Sequence, residues 1–249
     1  MSSQAVFKLE SLLEAKRLDR TVARHQGPLA PAVPTGIGAL DGLLDGGWRQ
    51  GEVSEVVGPR SSGRTSVLVS TLASATGAGQ VVGLVDAVDR FDPASAAAAG
   101  VDLDRVLWVR GPPITVEQAR ASMVDRAVHQ ALRALDLLVR AGGFAVVALD
   151  VADIPPRVLR ALPIATWMRV AHANAGQPTV CLLVGDAPMG RSARGATVTL
   201  ESSGRWTGTS PQSRRLAELD VRAVVRDARR YQEGHFVFKE LSPWRAWRA

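Results

Sequence analysis

Gly58-Pro-Arg-Ser-Ser-Gly-Arg-Thr65 follows the short strand-like stretch Glu52–Val57 and opens a helical one, Arg64–Thr76. It fits G-x-x-x-x-G-K-[ST] at every defined position except one, where Arg64 replaces Lys. Glycines at those positions let the backbone wrap a phosphate, and successive N–H groups with the helix N-terminus supply the anion site. The Thr65 hydroxyl stands where Mg²⁺ would be held. Asp150, closing Ala145-Val-Val-Ala-Leu-Asp150, stands where a second metal-orienting carboxylate belongs. The candidate nucleotide site is therefore Gly58, Pro59, Arg60, Ser61, Ser62, Gly63, Arg64, Thr65, Ser66 and Asp150, with ATP and Mg²⁺ as the cofactors such a loop could take. Arg64 keeps the positive charge but is bulkier and planar, and the two cations are not interchangeable at a tight site.

Outward from the loop, strand and helix alternate. Val81–Val85, Val106–Val109, Phe144–Leu149 and Thr179–Val184 are apolar along their length rather than at alternate positions. Such strands are buried on both faces, as in a parallel sheet covered by helices. Thr115 with Gln118 three residues on forms a capping box that would open a long helix carrying Val124, Val128, Ala131, Leu135 and Leu138 and ending at Gly142-Gly143. A further helix is predicted near Pro156–Ala175. Beyond Gly190, Ala196–Leu200, Leu219–Val225 and His235–Phe238 alternate more and read as antiparallel strands extending one side of the sheet. The expected fold class is α/β: a mainly parallel central sheet flanked by helices, with antiparallel C-terminal strands. That core is assigned to residues 35–240, preceded by a helix and Pro-rich linker at 1–34 and followed by a tail at 241–249. Residues 3–24 contain no Pro or Gly, and Val6, Leu9, Leu12 and Leu13 form a narrow stripe before the spacer Gly27-Pro-Leu-Ala-Pro-Ala-Val-Pro34. The stripe needs a cover, either its own domain or a neighbouring molecule, which makes Val6, Leu9 and Leu13 candidate partner contacts.

The chain has 249 residues, 46% hydrophobic and 22% charged, as in an ordinary globular protein with a real core. The net charge of +6 is uneven: residues 190–249 hold 12 basic and 6 acidic side chains, while the rest balances. A basic sector of this kind suits nucleic acid or an acidic protein surface, or else a solubilising face. Within it Arg226, Arg229 and Arg230 cluster near Leu219–Val225, and Trp244 and Trp247 are each followed by Arg. Trp and Arg are enriched at interface hot spots, so these five are candidate partner contacts, against a tail tucked back on its own domain. The single Cys181 lies in an apolar run and excludes an internal disulfide. No stretch has the character of a signal peptide or a membrane span, so a cytoplasmic protein is expected. The four histidines are isolated, no pair has metal-ligand spacing, and no Ser-His-Asp arrangement can be placed, so neither a metal site nor a catalytic residue is assigned.

Thr35-Gly36, Leu40-Asp41, Gly46-Gly47, Gly51, Glu55, Gly58-Pro59, Ser61-Ser62-Gly63 and Thr65 together resemble the opening of the RecA recombinase ATPase core. Asp86-Ala87, Asp92-Pro93 and Gly100-Val-Asp102 continue that resemblance in order, over roughly residues 35–225. The form Gly58–Ser66 with Val85-Asp-Ala-Val-Asp-Arg-Phe-Asp-Pro93 is similar to the ImuA family, RecA-like accessory proteins of bacterial mutagenic translesion synthesis. The resemblance implies a RecA-like P-loop core and a part in DNA repair through SOS-induced mutagenesis. The implied partners are an ImuB-like Y-family polymerase subunit, RecA, and indirectly an error-prone replicative-type polymerase. Three departures stand against the RecA pattern. Val88 occupies the place of its catalytic Glu, with Asp89 one residue out of position; Asp186, whose charge would repel phosphate, is nearest its phosphate-sensing Gln; Arg64 replaces Lys. They predict a catalytically defective adaptor, not an enzyme. The alternative is an active DNA-stimulated ATPase of the recombinase type. The segments matching the DNA-binding loops, Val151–Arg157 and Ala187–Gly195, are short, and the second keeps Arg191 and Arg194 without an aromatic platform, which predicts only weak DNA contact.

Overall fold

A computed structural model describes residues 30–115, 119–190, 195–210, 212–227 and 231–239. In chain order the elements are β1 (Ala32–Val33), α1 (Gly38–Leu43), β2 (Trp48–Arg49), β3 (Val53–Val57), α2 (Arg64–Gly77), β4 (Val82–Asp86), α3 (Pro93–Ala98) and β5 (Val106–Arg110). There follow α4 (Ala121–Ala141), β6 (Val146–Asp150), α5 (Pro156–Arg160), α6 (Ile164–Asn174), β7 (Val180–Gly185), β8 (Thr197–Thr207), β9 (Arg215–Arg226) and β10 (Tyr231–Lys239).

Eight strands form one sheet in the order β10-β9-β8-β3-β7-β6-β4-β5. From β8 to β5 every pairing is parallel; β8–β9 and β9–β10 are antiparallel. The fold class expected from the sequence is thus the observed one. Successive residues of the central strands serve opposite faces: Leu182 joins a core with Leu68, Leu72 and Trp48, while Leu183 joins one with Leu135, Val139 and Trp167. With apolar side chains required above and below, polar chemistry is left to the strand ends. The phosphate loop leaves the C-terminal end of β3, beside the end of β7 and the first residues of β8, and Asp86 and Asp150 end β4 and β6 in register. Ligand sites of open parallel sheets form at such ends. The small β1–β2 ribbon, unforeseen in the sequence, caps one face: Trp48 is fully buried and donates its indole N–H to Thr71 Oγ1 at 3.1 Å. Gly47 lets it close, since at φ 123° a Cβ would lie 2.2 Å from the Val33 carbonyl oxygen.

Three local expectations are revised. The long helix begins at Ala121, with Arg120 at its N-cap and no side-chain cap. Thr115 instead accepts the Ala119 N–H on its carbonyl, and Gln118 lies outside the described residues. The helix predicted near Pro156–Ala175 is two, because Pro163 lacks an N–H and pushes Leu162 out of helical geometry. The antiparallel strands run well past the predicted stretches. In β8 the residues from Glu201 to Thr207 are exposed on both faces, so no alternation betrays them.

Leu135, on α4, is fully buried between that helix and the sheet. Leu135→Ala is expected to lower unfolding stability by about 3 kcal/mol, read from denaturant melts.

Candidate nucleotide-binding site

Ser61 (φ 63°) and Gly63 (φ 93°) are left-handed on either side of Ser62, an alternation that turns loop N–H groups inward. Gly58 needs its glycine for closeness: a Cβ would stand 2.5 Å from both the Leu200 carbonyl oxygen and Ser62 Oγ. At Gly63 a Cβ would lie 3.2 Å from the Phe238 ring and 3.3 Å from Val221, so the β9–β10 ribbon backs the loop. Helix α2 begins without a side-chain cap. Ser62 Oγ is buried and without a hydrogen-bond partner among the described residues. An uncapped helix start and an orphaned hydroxyl are both satisfied by a bound phosphate, so the cradle fits the anion. Mg²⁺ bound with it would draw on Thr65 and Asp150, its other ligands coming from phosphate and water.

Arg64 is buried, and its guanidinium is committed within the protein. Nη1 donates to the Gly58 carbonyl at 2.5 Å and to the Asp186 carboxylate; Nη2 donates to Asp153 Oδ1 at 2.8 Å. Arg60 Nε reaches the same Asp153 oxygen at 3.0 Å, and the Asp153 N–H donates to Asp186 Oδ1 at 3.0 Å. Asp186, expected to repel phosphate, has its charge taken up by Arg64. Burial works against the Asp153 charge, but hydrogen bonds and charge from Arg60 and Arg64 outweigh it and hold the carboxyl below the usual range. Asp150 is the opposite case. Burial pushes it up to about 6, and nearby Asp86 adds to the shift against an N–H from Ala152 and the more distant Arg64 charge. Asp86 accepts the N–H groups of Arg90 (2.9 Å) and Phe91 (2.8 Å), fixing the turn after β4. That turn places Arg90, Phe91 and Asp92 opposite Thr65, Ser66 and Val69 across a cleft of about 300 Å³. Val88 is buried in the apolar core, and Asp89 is paired with Arg110 through two bonds of 2.9 Å.

Glu55, at the centre of β3, is the residue sequence reasoning passed over as a site element. It is buried, accepting the N–H groups of Met189 at 2.9 Å and Gly190 on one oxygen and the Thr197 hydroxyl at 3.2 Å on the other. It thereby anchors the segment after β7. A Glu among the valines Val53, Val56 and Val57 of a short strand was the available signal. Of the candidate partner and DNA residues, Arg226 is described, its guanidinium 5.2 Å from the Tyr231 ring centroid. Val6, Leu9, Leu13, Arg191, Arg194, Arg229, Arg230, Trp244 and Trp247 lie outside the described residues.

Residues 22–159 match the RecA N-terminal domain family, across the phosphate loop, Asp86, Asp150 and Asp153. The chain belongs to that family. It is 39% identical over 132 residues to Protein RecA of Frankia alni, covering 52% of this chain and 34% of the relative. With Protein RecA of Salinispora arenicola it shares 42% over 127 residues, 50% and 32% of the two chains. With that of Mycobacterium ulcerans it shares 39% over 127 residues, 50% and 33%. The match thus spans about a third of the length of these curated relatives. This kinship corrects one expectation. The departures at Arg64, Val88 and Asp186 were read as the mark of a chain that is not an enzyme, and family membership running through the nucleotide loop points to an enzyme instead. Physically, Arg64 retains the cation, and its pairing with Asp186 removes the bare charge that had argued against phosphate. Among the described residues no helix is long and apolar enough to cross a membrane.

Two outcomes follow from this geometry. Glu55→Ala leaves buried donors unmatched and is expected to cost about 2–4 kcal/mol and to speed proteolysis within 187–195, whereas Glu55→Gln keeps most of both. Asp150 has a raised folded-state pKa, so the folded protein loses stability as pH rises from its unfolded value near 4 through about 6. Asp150→Asn escapes that loss: thermal melts should place it about 1–2 kcal/mol above the parent at high pH, the gap closing in acid.

Proposed function

We propose that this chain is a RecA-family, nucleotide-operated accessory protein of SOS-induced translesion DNA synthesis and mutagenesis, of the ImuA type. Its partners in this reading are an ImuB-like Y-family polymerase subunit and RecA, with an error-prone replicative-type polymerase engaged indirectly and DNA touched weakly through Arg191 and Arg194. The observation that carries the reading is the phosphate loop itself. Its fold is intact, its cation is an arginine, and the segments after β6 and β7 are short and tied to that arginine and to Glu55. Short, anchored segments offer little of the long basic groove that single strands require. In this assignment residues 35–240 are the core, residues 1–34 a docking helix and spacer whose last part joins the core through β1 with Val33 buried, and residues 241–249 a Trp/Arg docking tail.

A second reading, favoured by the identity to RecA proteins, is a DNA-stimulated ATPase of the recombinase type. Both readings take ATP with Mg²⁺ as the ligand and its cleavage as the family's activity; they differ in what the nucleotide operates. Thr65→Ala should lower Mg²⁺-dependent ATP turnover by roughly one to two orders of magnitude in either case. Single-stranded DNA should leave parental turnover nearly unchanged under the accessory reading, and marked stimulation would favour the recombinase. Pull-downs should recover the polymerase subunit or RecA with the full chain and lose them on deleting 1–24 or 240–249. Recovery undiminished by either deletion overturns the docking assignment.

A further inference from the structure

We propose that Arg64 is a phosphate-displaceable latch: an ion pair that ties the phosphate loop to the segments after β6 and β7 and is exchanged for phosphate when ligand binds. This deepens the reading of residues 58–66 as a nucleotide site and rests on it.

The observation is the direction of the guanidinium. The side chain at this position is the cation a phosphate loop turns toward its ligand, yet here its guanidinium is turned onto three acceptors of the protein. One goes to the loop's own Gly58 carbonyl, one to Asp186 and one to Asp153. The two carboxylates lie beyond different strands, Asp153 after β6 and Asp186 after β7, and are joined to each other by the Asp153 N–H. The forked guanidinium serves the two carboxylates from separate nitrogens, Nη1 to Asp186 and Nη2 to Asp153, whereas a lysine ammonium would have to serve both from one nitrogen on a flexible stem. Arginine at this position and aspartate at 186 therefore explain each other, although each looks like a defect when read alone.

Phosphate is the natural competitor, since one phosphate accepts both Nη1–H and Nη2–H bidentately and brings more charge than either carboxylate. Once Arg64 turns to a phosphate, Asp153 and Asp186 are left facing each other with Arg60 as the remaining cation beside them, and Arg60 is mostly exposed. Two carboxylates so placed repel, and Asp153 is held in a left-handed conformation (φ 68°) that the latch helps to fix. Phosphate occupancy is thus coupled to the arrangement of residues 151–153 and 186. The coupling is reciprocal: a partner that draws Asp186 away tightens ligand binding by the same factor.

The test compares binding of pyrophosphate and of ADP to the full chain and to Asp186→Asn, Asp153→Asn and Arg64→Lys by calorimetry. Amide exchange at Asp153 is followed alongside, with Val151, whose N–H bonds to the Val184 carbonyl, as the reference. The latch predicts that Asp186→Asn and Asp153→Asn bind pyrophosphate about 5–30-fold more tightly than the parent, within the usual range of coupling energies. Ligand should speed exchange at Asp153 in the parent and not at Val151, and this response should vanish in Arg64→Lys. Unchanged or weaker binding by both Asn variants overturns the latch while leaving the nucleotide site standing. If no form binds either ligand, the nucleotide reading fails, and the ligand-free comparison decides the ion pair. Faster Asp153 exchange in Arg64→Lys than in the parent sustains the tie between the segments, and equal rates dismiss it.

Discussion

Burial of the central strands on both faces is the constraint from which the rest follows. Val56, Leu84, Ala148, Leu149, Leu182 and Leu183 are all removed from solvent, so helices must cover the sheet above and below. At about 25 cal/mol per Å² of apolar surface, that covering dominates the favourable side of folding. A sheet built this way has no polar face on which to assemble a site. Its chemistry gathers where the strands stop, and there the chain concentrates Gly58, Asp86, Asp150, Asp153 and Asp186.

Crowding carboxylates at one edge creates an electrostatic problem that the structure meets in three different ways. Asp86 is satisfied by backbone N–H groups, Asp153 and Asp186 by guanidinium groups, and Asp150 by a shift toward its neutral form. The last of these marks the position with least compensation, and a cation arriving with phosphate would supply what is missing. Glu55 belongs to the same pattern one layer inward. Its carboxylate replaces the missing strand partners of Met189 and Gly190, converting an irregular segment into a continuation of the β3–β8 seam. A charge retained in a core is expensive unless every lone pair is used, and here it buys the path of a loop.

Much of this was legible in the sequence because it depends on composition along short runs. Apolar strands, the glycine spacing of the phosphate loop and the alternating texture after Gly190 each report a local requirement, and each is found in place except Val106–Val109, which was expected to be buried on both faces and is instead the edge strand β5, with Leu107 open to solvent. What escaped depends on partners far apart in the chain. The Thr115–Gln118 pattern satisfies a capping rule, yet the helix starts at Ala121, and the Thr115 carbonyl takes the Ala119 N–H ahead of it. Asp186 read as a repulsive replacement because its partner, 122 positions earlier, was itself read as a replacement. Two substitutions that compensate one another look like two losses to any reading that takes positions singly. That is also why the inference from altered residues to absent activity did not survive comparison with the family.

The C-terminal charge excess takes a sharper form on the same grounds. Arg205 is paired with Glu218, and Arg222 with Glu201 and Glu233, while Arg214 and Arg226 lie over the rings of Trp206 and Tyr231. These arginines are spread along an exposed antiparallel ribbon whose inner residues, Val221 and Phe238, back the phosphate loop at Gly63. Exposed pairs of this kind contribute little to stability, on the order of 0–1 kcal/mol each. The ribbon thus carries its ion pairs on an outer face and packs with its inner one against the nucleotide loop at Gly63. The positive sector and the phosphate loop are two sides of the same strands.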